Sequence, residues 1–202
     1  MNPKAPTLSK GDATRTAILH QALELSSELG FEGLTIGVLA GKVGMSKSGL
    51  YAHFSSKEDL QCAALDAAAD RFLEVVARQA LTAPRGLPRL ERLLTQWMHW
   101  ERDEFAGGCP FIVAASEFDD RPGVVRTKLA EYFNTMIVFI DKAAQIAVEE
   151  GHFRPDLDPR QYAFEFWGSM LAYQQFLRLL EADDAERLLH SAMAQLNARA
   201  SA

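Results

Sequence analysis

Apolar residues recur at steps of three and four positions along most of the chain, and strict alternation of apolar and polar residues is scarce. In the first run, Ile18, Ala22, Leu25 and Leu29 share one helix face, and Gly30 follows as a C-terminal helix signal. Similar runs, separated by Gly, Pro, Ser and Asp, continue along the sequence. The pattern predicts an all-α chain of about nine helices.

Two of the predicted helices are short and are joined by a tight turn at Gly44. Thr35 can cap the first, and Ser46 can cap the second, which we expect to run for about nine residues. We expect Val38 and Leu39 to face inward on the first of them. Two short helices joined by a Gly-containing turn form a helix-turn-helix, although the same layout also occurs as a plain corner of a helical domain.

The outward face of the second short helix carries polar, aromatic and cationic side chains that suit DNA. An α-helix fits the major groove, where its N-terminal residues reach the base edges. Lys47 can donate to guanine, Ser48 can bond a base or a phosphate, and Gly49 permits close approach to the duplex. The residues that we predict to contact DNA are Thr35, Ser46, Lys47, Ser48, Gly49, Tyr51, His53 and Lys57.

Composition and charge are those of a soluble globular protein. The chain has 202 residues, 48% of them hydrophobic and 24% charged, with a net charge of −6, which excludes disordered and fibrous classes. Residues 1–57 carry six basic and four acidic residues, which leaves −8 for the rest, so a cationic head is predicted on an acidic body. We predict a cytoplasmic protein without a membrane segment, because no long apolar run or signal peptide is visible and the two cysteines fit a reducing compartment.

Residues 12–62 resemble the DNA-binding domain of the TetR (tetracycline-repressor-like) family, since the turn, the Leu-Tyr pair and the downstream Lys fall in register. The residues that carry the resemblance are Arg15, Ile18-Leu19, Ala22, Gly33-Leu34-Thr35, Leu39-Ala40, Val43-Gly44-Met45-Ser46-Lys47-Ser48-Gly49-Leu50-Tyr51, His53-Phe54, Lys57 and Leu60. Ile36 and Gly37 depart from the family pattern, in which a polar or basic residue often stands on this helix. We therefore expect the following helix alone to read bases.

The resemblance implies a helix-turn-helix DNA-binding domain over residues 10–57 and a larger helical effector-binding and dimerisation domain over residues 58–202. In this family the effector lies in a cavity of the second domain, and the last two helices form the homodimer interface. Large apolar side chains are more often plain core, but they also suit a small apolar or aromatic effector. The residues that we predict to line the cavity are Trp97, Trp100, Phe111, Phe133, Ile137, Trp167 and Met170.

These features predict a ligand-responsive transcriptional regulator that binds a palindromic DNA operator as a dimer and acts as a repressor. The sequence shows no catalytic set and no cluster of metal ligands, and no cofactor is expected.

Three competing hypotheses concern Cys109 and the head. The first is a redox or electrophile sensor acting through Cys109. Pro110 is predicted to open a helix, and a helix N-terminus can lower the pKa of a thiol and so make it more reactive. The competing interpretation is that Cys109 is a buried structural cysteine. The second is a small helical enzyme with Cys109 as nucleophile and His99 as base. The third is an interaction protein with a vestigial head, which would show no salt-dependent affinity for DNA.

Overall fold

A computed structural model describes residues 10–201, and these residues form nine helices and no strand, as the hydrophobic pattern predicts. The helices are α1 (Lys10–Gly33), α2 (Ile36–Val43), α3 (Lys47–Tyr51), α4 (from Lys57–Phe72 on to residue 81), α5 (from Leu87–His99 on to residue 104), α6 (Pro110–Phe118), α7 (Val124–Glu149), α8 (Pro159–Arg178) and α9 (Ala185–Ala200). Among the described residues, no helix is both long and apolar enough to cross a membrane.

Two of the helices contain a π turn. α4 passes through a π turn at Leu73–Ala77 and ends with the α-helical segment Arg78–Leu81. α5 ends in a π turn at Trp100–Glu104. A π turn inserts an extra residue into an α-helix and is often found near functional sites. Both of these turns border the aromatic core of the C-terminal body.

α1, α2 and α3 form the N-terminal head around a buried apolar core. Thr35 caps α2, so the helix starts at Ile36, and its buried residues are Ile36, Leu39 and Ala40. These positions are spaced i, i+3 and i+4 and therefore share one face. The prediction that Val38 faces inward is wrong: its side chain is 41% exposed, because it lies between these positions on the outer side.

α3 is shorter than the sequence predicts, with five residues from Lys47 to Tyr51. The chain leaves the helix so that Phe54 can enter the core of the head, where it is fully buried. Arg15 of α1 holds this exit, because its guanidinium donates to the carbonyl oxygen of His53 at 2.6 Å and lies 4.6 Å from the centre of the Phe54 ring. Burial of Phe54 and its contacts with Arg15 thus fix the chain just beyond the end of α3.

α4 to α9 form the body, and α4 extends into it directly from the head. Phe72 of α4 lies edge-on to Trp97 and Trp100 of α5, with both pairs of ring centres 5.1 Å apart. α8 packs against both α7 and α9. The head is therefore joined by a continuous helix to the aromatic core of the body.

Candidate nucleic-acid interface and ligand cavity

α3 is anchored by one apolar residue and presents the rest of its surface to solvent. Leu50 is fully buried, whereas Ser46, Lys47, Ser48 and Tyr51 are exposed, Tyr51 to 57%. The Ser46 hydroxyl accepts a hydrogen bond from the Gly49 amide at 3.0 Å and caps the helix. This exposed surface has the polar groups that a major-groove helix needs.

The first turn of α3 is ordered by contacts between its own side chains and α2. The hydroxyls of Ser46 and Ser48 lie 3.0 Å apart, within hydrogen-bond distance. The Lys47 side chain passes over Gly37 of α2, where a Cβ atom would lie 3.3 Å from Lys47 Cε. Gly37, the position that departs from the family pattern, therefore leaves space for Lys47 between the two helices.

The turn between α2 and α3 depends on Gly44, and the start of α2 depends on Thr35. Gly44 has φ 68°, the left-handed conformation that Gly adopts at little cost, and its amide donates to the carbonyl of Ala40. Thr35 Oγ1 accepts from the Val38 amide at 3.2 Å. The Thr35 hydroxyl thus lies at a helix N-terminus, a position that favours a phosphate.

His53 and Lys57 lie beyond the end of α3. His53 is half-buried, with its ring centre 6.4 Å from that of Phe54. Lys57 Nζ donates to the carbonyl of Glu32 at 2.8 Å and lies 3.3 Å from Glu32 Oε2, which is also 3.4 Å from Arg121 Nη1. The Lys57 ammonium is thus engaged at the end of α1.

The body contains a cavity of about 330 Å³ between α4, α5, α6 and α7. Apolar and aromatic side chains supply most of its wall, and three polar residues are included. Its lining residues are Ala69, Asp70, Phe72, Leu73, Ala77, Leu81, Leu93, Trp97, Phe111, Tyr132, Thr135, Met136 and Phe139. A cavity of this size and polarity suits a small, largely apolar molecule.

Tyr132, one of the polar residues of the cavity wall, is held by Asp66 of α4. Its hydroxyl donates to Asp66 Oδ1, which also accepts from Lys128 Nζ at 2.6 Å. Burial, followed by the hydrogen bond to Asp66, raises the pKa of the Tyr132 hydroxyl above its usual value. The Tyr132 hydroxyl therefore remains neutral, and it donates its proton to the hydrogen bond with Asp66.

The structure places two of the seven predicted ligand residues, Trp97 and Phe111, in the wall of this cavity. The other five predicted residues, none of which lines it, are Trp100, Phe133, Ile137, Trp167 and Met170. Trp100 is buried behind the wall and stacks on Phe111 with ring centres 6.5 Å apart. Phe133 and Trp167 pack against each other at 5.3 Å between α7 and α8.

Ile137 and Met170 are also outside the cavity wall, half-buried and fully buried respectively. The α7 residues that do line the cavity are Tyr132, Thr135, Met136 and Phe139. Their i, i+3, i+4, i+7 spacing places them on a single helix face. The predicted pair, Phe133 and Ile137, lies on the neighbouring face of the same helix.

Cys109 lies at the N-cap position of α6 but is 2% exposed. Burial, followed by the nearby carboxyl group of Glu101, raises the pKa of its thiol, although the neighbouring Trp100 indole and the α6 backbone amides act in the opposite direction. The burial of Cys109 favours the structural-cysteine interpretation over the sensor interpretation, because desolvation outweighs any lowering of the thiol pKa by the helix N-terminus. His99, the base of the enzyme hypothesis, is exposed, with its ring nitrogen 3.1 Å from Asp103.

Glu101 is a fully buried acid next to Cys109. Its Oε1 atom accepts a hydrogen bond from the Trp97 indole at 3.2 Å, and its Oε2 atom has no partner among the described residues. Burial raises the pKa of the Glu101 carboxyl to about 8, which makes the group neutral at physiological pH.

Among the described residues, no group of three or more His, Cys, Asp or Glu side chains could hold a metal ion.

The capped, exposed α3 packed on α2 defines a helix-turn-helix DNA-binding protein with a larger helical body. Residues 18–64 match the family "Bacterial regulatory proteins, tetR family", and residues 86–193 match "Tetracyclin repressor-like, C-terminal domain". The chain therefore belongs to the TetR family, whose members are DNA-binding transcriptional regulators. The resemblance that residues 12–62 show in the sequence is confirmed, and the second match lies in the helical body.

Similarity to individual proteins extends over most of the chain. The HTH-type transcriptional regulator RutR of Escherichia coli K12 is 28% identical over 188 residues, which cover 84% of this chain and 78% of RutR. A TetR transcriptional regulator from Chloroflexus aurantiacus is 26% identical, with a TM-score of 0.84 and coverage of 95% of this chain and 96% of that one. AibR, solved with isovaleryl coenzyme A and operator DNA, is 27% identical, with a TM-score of 0.65 and coverage of 80% and 86%.

Proposed function

We propose that this regulator is a repressor that binds a palindromic operator as a homodimer and is released by a small apolar or aromatic effector. The observation that carries the proposal is the course of α4. This helix begins at Lys57, at the end of the head, and contributes Phe72, Leu73 and Ala77 to the cavity wall. A molecule in the cavity therefore touches the helix that connects the body to the DNA-binding head.

The proposed homodimer interface is the outer face of α8 and α9. A groove of about 510 Å³ runs between these helices, and Phe176 and Leu188 in its wall are 38% and 37% exposed. One α3 contacts only a few bases, so specific binding calls for two copies of the chain. A second copy with the same groove would cover this apolar surface by two-fold symmetry and place two α3 helices on successive half-sites.

The proposed effector is neutral or cationic, with an apolar body. The cavity wall includes the carboxylate of Asp70 and the hydroxyl of Thr135, and none of the described residues that line it is Lys, Arg or His. An anionic ligand would find no countercharge there. The cavity wall therefore does not suit a ligand such as the isovaleryl coenzyme A of the AibR crystal structure, whose phosphates need basic partners.

We propose that the protein acts in the cytoplasm, where bacterial operator DNA is found, and that its activity is regulation and not catalysis. The burial and raised thiol pKa of Cys109 disfavour the sensor and enzyme hypotheses, because the thiolate is the reactive form. A Cys109→Ser variant is expected to keep operator binding and its response to effector. Loss of that response would restore the sensor interpretation.

Selection of bound duplexes from a random pool, followed by footprinting, tests the DNA part of the proposal. We expect an enriched site with two-fold symmetry and half-sites about 34–36 Å, or a multiple of that distance, apart. An enriched site without symmetry would contradict the dimer, and absence of enrichment would contradict sequence-specific binding.

A thermal-shift screen with matched neutral, cationic and anionic aromatic compounds tests the effector part. We expect stabilisation by neutral or cationic compounds, and release of the selected operator by the same compounds. Asp70→Asn is expected to reduce the binding of cationic ligands and to leave that of neutral ones unchanged. Preferential binding of the anionic set would contradict the proposed charge class.

A further inference from the structure

α1 is interrupted three residues before its end, and the interruption leaves backbone groups to be satisfied. Gly30 has φ 77° and ψ 164°, values outside the helical region. The chain then makes a last short turn over residues 31–33, which we call the 31–33 turn. The first amides of any helical turn have no acceptor within the turn and need one from elsewhere.

The acceptor for these amides comes from the body, 86 residues further along the chain. Glu117 Oε2 accepts hydrogen bonds from the amide of Phe31 at 2.8 Å and from the amide of Glu32 at 3.0 Å. A side-chain oxygen bound to the first amides is the geometry of an N-cap, and a carboxylate accepts stronger, charge-assisted hydrogen bonds there than a neutral group would. Glu117 is thus a helix cap supplied by a different domain.

The fit around this cap is tight. A Cβ atom on Gly30 would overlap Glu117 Oε1, and the φ angle of Gly30 is itself unfavourable for other residues. The Phe31 side chain is fully buried, and its carbonyl accepts from Gln61 Nε2 at 2.7 Å. Both the amide and the carbonyl of Phe31 are therefore held by other helices, α6 and α4.

The 31–33 turn leads directly into the DNA-binding motif. The Leu34 amide donates to the Phe31 carbonyl at 3.2 Å, and Thr35, the cap of α2, comes next. Glu32 binds Lys57 of α4 and also lies 3.4 Å from Arg121, which follows α6. The position of α2 and α3 relative to the body therefore depends on how the 31–33 turn is held.

α6, the helix that carries Glu117, also contacts the cavity. Phe111 near its start lines the cavity wall, and Glu117 lies near its end. Six residues of α-helix span about 9 Å, so a short rigid rod joins the two contacts. A second link lies before α6, where the Gly107 amide donates to Ser27 Oγ of α1 at 3.1 Å.

We propose that Glu117 is a positioning residue for DNA binding: its carboxylate caps the 31–33 turn across the domain boundary and fixes the orientation of α3. This inference rests on the proposed function, because orientation matters only if α3 binds DNA. Glu117 itself is half-buried between the domains and has no place in the proposed DNA surface. Its removal acts on the operator through the head and not through a lost phosphate contact.

Hydrogen exchange of the full-length protein tests the cap directly. In Glu117→Ala, we expect the protection of the Phe31 and Glu32 amides to fall about tenfold or more, because both lose their acceptor. Glu117→Gln keeps one oxygen acceptor without the charge and should restore part of the protection. Glu91→Gln and Glu91→Ala, at an exposed position of α5, are matched controls and should change nothing at the 31–33 turn.

Affinity for the selected operator, measured at several salt concentrations, tests the positioning role. We expect Glu117→Ala to bind about ten- to a hundredfold more weakly and Glu117→Gln to lie between it and the parent. The salt slope should stay the same, since no phosphate contact is lost. Helical content and dimer mass, measured on the same samples, separate this effect from unfolding, and Glu117→Gln serves as the test variant if Glu117→Ala does not fold.

Unchanged amide protection in the Glu117 variants would overturn the cap. Reduced protection with unchanged operator affinity would overturn the positioning role. If the parent protein binds no duplex at all, the proposed function fails, whereas the exchange experiment still decides whether Glu117 caps the 31–33 turn.

Discussion

Single side chains on the head differ in what they can contribute to DNA recognition. Lys47 and Ser48 stand in the first turn of an exposed helix, where base edges are within reach. Thr35 lies at the start of α2, and Lys57 lies past the end of α3 and is bound to Glu32. We assign the first pair to base recognition and the second pair to the phosphate backbone.

Replacement of Lys47 and of Lys57 by Ala is expected to separate these two roles. Lys47→Ala should lower discrimination between the selected operator and a scrambled duplex by about 1–3 kcal/mol. Lys57→Ala should weaken binding to both duplexes about equally and flatten the salt slope. Titration of each variant against both duplexes at several salt concentrations measures both effects, and parent-like binding by the two variants would refute this assignment.

Buried Glu101 is expected to make stability depend on pH. Its folded-state pKa of about 8 exceeds its ordinary value of 4.5, so the folded protein holds one more proton than the unfolded chain between these values. The free energy of unfolding should therefore fall as pH rises through this window, by about 3–5 kcal/mol for a shift of this size.

Glu101→Gln mimics the protonated acid and should remove most of that fall, which urea titrations at pH 5, 7 and 8.5 can measure. Glu91→Gln, at an exposed position, is the matched control and should keep the parent pH profile. A parent-like pH profile in Glu101→Gln would show that another group is responsible.

At the level of elements, the caps decide where the helices of the head begin. Thr35 and Ser46 supply side-chain acceptors to amides three residues later, at 3.2 Å and 3.0 Å. Both starts could be predicted from the sequence, because N-caps depend on local residue type. The end of α3 could not, since the departure of Phe54 into the core is a tertiary effect.

Loss of the α2 cap is expected to destabilise the head. Thr35→Ala should lower the free energy of unfolding by about 1 kcal/mol, because the Val38 amide loses its partner. Thr35→Ser keeps the hydroxyl and should remain within a few tenths of a kcal/mol of the parent. Chemical denaturation followed by circular dichroism compares them, and equal stability of the two variants would argue against the cap.

The cavity shows the limit of sequence reasoning more clearly than the head does. Helical spacing identified the helices of the body, but it did not indicate which face of α7 meets the cavity. Phe133 and Tyr132 are adjacent in the chain and about 100° apart around the helix, so choosing one apolar face instead of its neighbour changes every lining residue that α7 supplies. That choice is set by how α7 packs on α4, α6 and α8, and this packing is not encoded locally.

At the scale of the whole molecule, the head is small, and the described body leaves an apolar groove on its outer face. The same groove contains an ion pair between Arg199 of α9 and Glu165 of α8. Apolar surface bordered by charged groups is typical of a specific interface. In the proposed homodimer, the geometry of the two α3 helices then follows from how two copies meet at α8 and α9.

A charged residue in this groove is expected to prevent dimer formation. Leu188→Glu should shift the protein to a monomer and reduce operator affinity by more than about tenfold, because an unpaired charge would be buried between the copies. Val124→Glu, at a 57% exposed position at the start of α7, is the control and should stay dimeric. Analytical ultracentrifugation measures the mass, and a parent that is itself monomeric at all concentrations would contradict the interface.

The π turn in α4 has a consequence for how the two ends of this helix can move. Leu73 and Ala77 both belong to the turn and to the cavity wall, so a bound molecule would press on a stretch of α4 with irregular hydrogen bonding. Rewinding such a turn into regular α-helix shifts the residues on one side by about 1.5 Å along the axis and about 100° around it. A change between π turn and α-helix would therefore alter the length of α4 along its axis while the helix stays continuous. This change would occur at the residues that a bound ligand would contact.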